Sequence, residues 1–363
     1  MRDVRGRGNM AAIIQTPAGT YSVRWREEGK HRAKTFKTKS EARAFLRLLE
    51  DEGLSAAFSL TFSEAVDIYE KDVTPTKRTQ RQEIFRLNNL RKLEFANRLL
   101  RDIHPADIEQ YVNWRKITPS LKTGGLISDS TIIKDVNLIS SVFRHAIKLG
   151  LAKDNPCKDI GNMPREPEHR ERIASDRELE MIKQASGWDG KSVPRNSTQT
   201  VAAAFIFACR TGMRLGEIIQ LEEAWIDDRV IRLPKEATKT EAARDVAMPT
   251  EALIILNLVR ARGNAPRIFG LAPETTSAIW RKIRNRAGLG PVTDSEGRLV
   301  REGLNFHDSR ATFATWAASP NPKTGAPRLD VLALARQTGH KNLAMLQRYY
   351  RPSAEDIAKR LDE

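Results

Sequence analysis

Apolar and polar positions change their period along the chain, and each change predicts a different kind of element. From Tyr21 to Arg26 the side chains alternate, placing Tyr21, Val23 and Trp25 on one face and Ser22, Arg24 and Arg26 on the other. Strand-like stretches run from Ala12 to Gln15 and from Arg32 to Lys37, with turn signals at Thr16-Pro17-Ala18-Gly19 and Glu27-Glu28-Gly29-Lys30. A three-stranded sheet is expected there, followed by a helix capped by Ser40. From about Leu60 to Lys158 the period becomes helical. Thr61 and Glu64 spell a capping box ahead of Phe62, Ala65, Ile68 and Tyr69. A long helix is expected from about Thr79 to Leu100, and another from Pro105, which suits a first helical position. The clearest helix starts at Ser130, where Ile132, Val136, Ile139, Phe143 and Ile147 form an apolar stripe and Gly150 a stop.

Further on, Val201 to Ala208 is apolar on nearly all sides and predicts a buried helix, after which Thr211-Gly212 turns the chain. Val230–Leu233 and Arg244–Met248 read as a hairpin. Leu329 to Thr338 reads as a packed helix closed by Gly339 in a left-handed cap. A helix beginning near Asn342 would put Leu343, Leu346 and Tyr350 on one stripe and turn Tyr349 away from it. Pro352 ends it, and Ile357 and Leu361 in the tail predict an amphipathic helix. The fold class expected is mainly α with small β-sheets, an α+β chain. Its divisions are 1–53 (sheet plus helix), 54–158 (helical bundle), 159–172 (a Pro- and Arg-rich linker) and 173–363 (a mixed α/β domain).

Charge narrows the class of partner. Sixty-one Lys and Arg against 46 Asp and Glu give a net charge of +15, a balance suited to phosphate backbones. Residues 1–50 hold 12 Lys and Arg against 5 Asp and Glu, so nearly half of the excess sits in this segment. A ribbon with a basic face fits a major groove. Two cysteines, Cys157 and Cys209, make neither a disulfide framework nor a zinc site. No apolar run of membrane-spanning length and no signal-peptide core is present, and a reducing cytoplasm is expected.

The candidate chemistry lies in the C-terminal half. A tyrosine is a poor nucleophile at neutral pH, so a phenol meant to attack a phosphodiester needs a base or a local positive field. Arg214, Lys239, His307, Arg310 and His340 precede Tyr349 and supply such a field. Two guanidinium groups can clamp one phosphate in their fixed forks, and a lysine or histidine at the leaving oxygen can deliver its proton. Taken singly, each residue has a plainer reading: Arg214 paired to Glu217 for stability, Lys239 as a solvated loop cation, with Lys235 and Arg244 as competitors for the proton donor.

Thr211-Gly212-Met213-Arg214-Leu215-Gly216-Glu217, Thr238-Lys239-Thr240, His307-Asp308-Ser309-Arg310, Gly339-His340 and Tyr349 resemble the ordered motifs of the tyrosine recombinases, the phage integrase family. The resemblance covers roughly 170 to 352, with Ser309 where the family usually carries a leucine. It implies that Arg214 and Arg310 bind the scissile phosphate, that Tyr349 forms a 3′-phosphotyrosyl bond, and that Lys239 protonates the leaving 5′-oxygen. His307 and His340 would assist, and neither metal nor cofactor would be needed. The spacing from His340 to Tyr349 matches the family and favours Tyr349 over Tyr350. The resemblance further implies an arm-type DNA-binding domain at 1–53 and a core-binding domain at 54–158, with Arg24, Arg26, Lys34, Lys134 and Arg144 as candidate DNA contacts. The implied partners are double-stranded DNA attachment sites and a synaptic tetramer on DNA; a host DNA-bending protein and a directionality factor are further candidates. The location implied is the bacterial cytoplasm, at the nucleoid when bound. The function expected is site-specific integration or excision of a phage, prophage or conjugative element. The alternatives are a DNA-inversion recombinase of shufflon type, a type IB topoisomerase, or a DNA-binding protein without catalysis.

Overall fold

The computed structural model describes residues 12–27, 30–52, 60–120, 124–166, 170, 172–238, 242–263, 266–296, 299–350 and 357–358. The chain divides into two compact units, Met1–His169 and Arg170–Glu363. It is an α+β fold, about half helical with small sheets.

Unit one begins with β1 (Ala12–Gln15), β2 (Tyr21–Glu27) and β3 (Lys30–Phe36), an antiparallel sheet with β2 in the middle. The alternation holds on the inner face, where Val23 and Trp25 are buried with Phe36 against Ala42 and Phe45 of α1 (Lys39–Glu52). Thr38, not Ser40, caps that helix: its Oγ1 accepts the Glu41 N–H at 3.3 Å while Glu41 Oε2 accepts the Thr38 N–H at 3.3 Å. Arg24 is exposed on the outer face. Lys34, expected among the DNA contacts, is paired in register with Val23 and so shares the inner face. Its ammonium lies 5.7 Å from the Phe45 ring centroid and burial lowers its pKa, which ties it to packing instead of to an external phosphate. Arg26 is placed in β2 opposite His31.

The bundle of unit one comprises α2 (Phe62–Asp72), α3 (Gln80–Leu90), α4 (Pro105–Ile117) and α5 (Asp129–Leu149). Thr61 and Glu64 form the expected capping box, and Pro105 opens α4. The helix expected as far as Leu100 stops at Leu90. Its continuation is needed elsewhere: the carbonyls of Ala96 and Arg98 accept the Ser63 and Phe62 N–H groups, which would otherwise be orphans at the start of α2. Ile132, Val136, Ile139 and Phe143 of α5 are buried, and Gly150 ends the helix at φ 87°. Lys134 and Arg144 lie on its exposed side, whereas His145 contacts Asp72 at 3.1 Å and Lys148 contacts Glu41 at 2.8 Å. The segment expected as a linker is shared between the units: Ile160 and Met163 pack on the bundle core, while Arg170 and Arg172 bond within unit two.

Unit two is built around α7 (Ser197–Thr211), in which Val201 to Cys209 are all buried. Around it pack α6 (Asp176–Ser186), α9 (Thr250–Arg260), α10 (Pro273–Arg286) and α11 (Asp308–Ala318). Between α7 and α9 come α8 (Leu215–Ile219) and a sheet of β4 (Ile226–Asp227), β5 (Val230–Leu233) and β6 (Arg244–Ala247). The hairpin of β5 and β6 was legible; the short third strand beside it was not. A second hairpin, β7 (Val292–Thr293) and β8 (Leu299–Arg301), is exposed between α10 and α11. Helix α12 (Val331–Thr338) ends at Gly339 with φ 69°. The expected helix from Asn342 is instead two 3₁₀ turns, Leu343–Met345 and Gln347–Tyr349. Most of the expected tail helix, including Leu361, lies outside the described residues.

Candidate active site

Three turns of unit two converge. The first is the end of α7, where Gly212 adopts φ 69° and a Cβ would lie 2.6 Å from the Phe313 ring, so only glycine fits. The chain then presents Arg214 as the residue preceding α8. Its N–H donates to Glu217 Oε2 at 2.8 Å and its Nη1 to Glu217 Oε1 at 3.1 Å. Glu217 is buried, with a side chain 2% exposed. Burial pushes its carboxyl up, but hydrogen bonds and charge from Arg244 and Arg214 outweigh this and hold it below its ordinary value. It remains an anion.

Arg244, at the start of β6, is the stronger of its two partners. It grips Glu217 bidentately, Nη1 to Oε1 at 2.8 Å and Nη2 to Oε2 at 2.7 Å, and its side chain is 8% exposed. This geometry removes it from the competition for proton donor. Gln337 ties the same elements: Nε2 donates to the carbonyls of Thr211 and Ala247, and Oε1 accepts the Ala247 N–H at 3.0 Å. Neither role was visible in the sequence, since an arginine and a glutamine at strand and helix ends carry no periodic signal.

The second turn is the start of α11. His307 precedes it and is exposed, while Arg310 is buried at 4% exposure. Arg310 Nη1 donates to the Gly212 carbonyl at 2.7 Å, and Nη2 donates to the Thr338 carbonyl and lies 3.4 Å from the His340 ring nitrogens. Burial, and then the charge of Arg214, push Arg310 down to about 9, so it is still charged at neutral pH.

The third turn is Gly339-His340. Thr338 Oγ1 donates to the Leu334 carbonyl at 2.6 Å, so at 2.7 Å it accepts the His340 Nδ1–H. That tautomer leaves Nε2 as an acceptor. Burial, followed by Arg310, Arg214, Arg348 and His307, pushes His340 down to about 4, and the ring is neutral at pH 7. The unfolded chain, with a histidine near its ordinary value of about 6.5, binds this proton first. His340 therefore removes stability as pH falls from about 6.5 toward 4. The expected result is a His340 ring resonance with a midpoint near 4 and a flatter stability profile in His340→Gln; a midpoint at 6.5 would show a solvated ring.

The two tyrosines are separated by their surroundings. Tyr350 donates its hydroxyl to the Leu329 carbonyl at 2.6 Å, and burial, then Asp330, push its phenol up to about 12. Tyr349 acts electrostatically on Arg310, and the Arg348 guanidinium lies 5.9 Å from its ring centroid. Lys239 lies outside the described residues. The mouth of its loop is pinned, because Thr238 is fully buried and its Oγ1 accepts the Ala242 N–H at 3.1 Å. Arg214, Arg310, His340 and Tyr349 are thus brought into one neighbourhood, with His307 acting on the same ring. Among the described residues, Arg214, Arg244 and Arg310 set against Glu217 leave an excess of positive charge, and an anion would relieve the repulsion between Arg214 and Arg310.

Residues 191–356 match the Phage integrase family. An integrase/recombinase of Haemophilus influenzae is 28% identical over 94% of this chain and 88% of its own length. A shufflon-specific DNA recombinase of Escherichia coli is 28% identical over 84% of this chain and 72% of its own length. Among solved structures, a lambda integrase dimer bound to a COC′ core site is similar in fold, with a TM-score of 0.62 at 18% identity over 96% of both chains. A lambda integrase tetramer bound to a Holliday junction gives 0.60 at 19% identity, over 93% of this chain and 94% of that one. With residues 191–356 matched as a domain and relatives aligned along nearly the whole length, the chain carries a phage integrase family domain, that of the tyrosine recombinases, and is a DNA strand-exchange enzyme.

Proposed function

We propose that this chain is a site-specific integrase in which Tyr349 attacks the scissile phosphodiester and becomes joined to the 3′-phosphate. The observation that carries the reading is the excess of guanidinium charge around Arg214 and Arg310 beside Tyr349. Arg310 and Arg214 hold the non-bridging oxygens, and charge developing on them meets preorganised donors. Arg310 is held by two backbone carbonyls, which fix its fork before DNA arrives. Neutral His340, with its proton on Nδ1, offers Nε2 as a proton acceptor beside the phosphate; His307, exposed at the start of α11, exchanges the tyrosine proton. Lys239 gives a proton to the leaving 5′-oxygen. The phosphotyrosyl ester keeps the bond energy, so religation by the freed 5′-hydroxyl needs no nucleotide.

The layout follows from the same reading: 1–53 as an arm-type DNA-binding domain, 54–158 as a core-binding domain, and 173–363 as the catalytic domain. Four copies assemble on paired attachment sites, as a lambda integrase tetramer does on a Holliday junction. The protein works in the bacterial cytoplasm on chromosomal or element DNA, and a DNA-bending protein and a directionality factor are its accessory partners. Among the described residues no helix is long and apolar enough to cross a membrane. Arg24 and Arg26 on the sheet, and Lys134 and Arg144 on α5, are the proposed phosphate contacts. Replacing Arg24 and Arg26 by alanine should leave core cleavage intact and lower the slope of log affinity against log salt by about 2 for arm DNA. An unchanged slope would return the sheet to a folding role.

Recovery of covalently bound DNA from a pool of randomised nicked duplexes tests the function directly, and its sequence gives the core site. On that site Lys239→Ala should cleave on the order of 10³-fold more slowly. A 5′-bridging sulfur, whose leaving group needs no proton, should restore most of the rate; absence of rescue would move the acid to Lys235. Inversion is the second reading, favoured by the similarity to the shufflon-specific recombinase. Plasmids carrying two recovered sites in direct or inverted order separate the two by their products.

A further inference from the structure

We propose that Arg170 and Ala174 act as a strap on the back of α11, with Arg170 as a positioning residue for His307 and Arg310. The proposal rests on the catalytic reading above. Arg170 grips Asp308 bidentately, Nε to Oδ1 at 2.9 Å and Nη2 to Oδ2 at 2.9 Å. It also reaches Glu302 at 3.0 Å and the Gly303 carbonyl. Asp308 is the first residue of α11, with a side chain 6% exposed, and Oδ2 accepts the Asn305 N–H at 2.7 Å. One helical turn later Thr312 Oγ1 accepts the Ala174 N–H at 2.8 Å and donates to the Asp308 carbonyl at 2.9 Å.

These are two separate attachments on one helix face, because positions four apart lie above one another. Arg310 stands about 200° round the helix from Asp308 and sends its guanidinium to Gly212 and Thr338. The strap and the phosphate clamp therefore occupy opposite sides of the first turn of α11. His307, immediately before that turn, moves with it.

The charge explains why the contact is directional. A buried carboxylate must be paired, and a bidentate guanidinium fixes both its distance and its plane. The Asn305 N–H and the start of α11 stabilise Asp308 but leave its second oxygen to Arg170. Arg170 follows the linker in sequence, so a pull on the linker would act on the turn that carries His307 and Arg310. An enzyme that bonds covalently to DNA gains from reaching its cutting geometry only when unit one holds the duplex, and the strap provides that link.

The test uses the full chain on the nicked core duplex recovered by covalent capture. Single-turnover cleavage at saturating DNA, the dissociation constant and the melting temperature are measured for Arg170→Gln, Asp308→Asn and the double variant. Each single change should slow cleavage about 30-fold, within the range of allosteric couplings, and leave the dissociation constant within about threefold. The double variant should be no slower than the slower single one, since both remove the same contact. Arg170→Lys, which keeps charge without the fork, should recover part of the rate, and it carries the comparison should Arg170→Gln melt below the assay temperature. Wild-type cleavage by Arg170→Gln, additive losses, or parallel loss of DNA binding and melting temperature would each overturn the strap alone. A wild-type chain that forms no adduct overturns the catalytic reading, and the strap with it.

Discussion

Tyr349→Phe is expected to abolish covalent capture of DNA, lowering adduct formation by at least about 10⁴-fold, as loss of a covalent nucleophile does. The change removes one oxygen and leaves the ring, so its packing against the small apolar cluster of α11 and α12 is retained. DNA affinity should change by less than about threefold, because binding draws on many phosphate contacts and the phenol is not among them. Tyr350→Phe is the matched control. It loses the hydrogen bond to the Leu329 carbonyl, worth about 1 kcal/mol, and should cleave at nearly the wild-type rate. The opposite result, adduct with Tyr349→Phe and none with Tyr350→Phe, would reverse the assignment.

Arg310→Met should slow cleavage on the order of 10³-fold or more, the scale seen when an arginine that stabilises a transferring phosphoryl group is removed. The stability effect runs differently. Burial and Arg214 lower the Arg310 pKa to about 9, so the folded chain holds this charge less favourably than the unfolded chain does. The penalty applies while Arg310 is charged, that is, below about pH 9, which includes neutral pH. Methionine of similar length removes the penalty and leaves the Gly212 and Thr338 carbonyls without a donor. These effects oppose, and the expected melting temperature is within about 3 °C of wild type. Sulfate should raise the wild-type melting temperature and not that of the variant, because an anion bound to the folded state alone stabilises it by mass action. A cleaving Arg310→Met protein would remove Arg310 from the phosphate clamp.

The elements with a strong period were legible in the sequence. The inward positions Val23 and Trp25 of the alternation, the stripe on α5 and the all-apolar run of α7 predicted their own burial, because each expresses one local packing problem; Ser22, expected outward, is buried as well. Where long-range bonding decided, local reading failed. The helix expected to Leu100 ends at Leu90 because Ala96 and Arg98 are needed to cap α2. Lys34 reads as an outward cation but pairs in register with Val23. In the site, the ordered motifs named Arg214, Arg310, His340 and Tyr349. They did not name Arg244, Gln337 or Arg170, whose work is to hold those residues or their turns across separations of 27, 126 and 138 positions. No spacing rule reaches that far.

The most direct measurement is mass spectrometry of the peptide left on DNA after proteolysis of the trapped complex. The account predicts one phosphotyrosyl bond, at Tyr349, joined to a 3′-phosphate, with a free 5′-hydroxyl on the released strand. A bond at Tyr350, a 5′-phosphate linkage, or cleavage without any covalent peptide would contradict it.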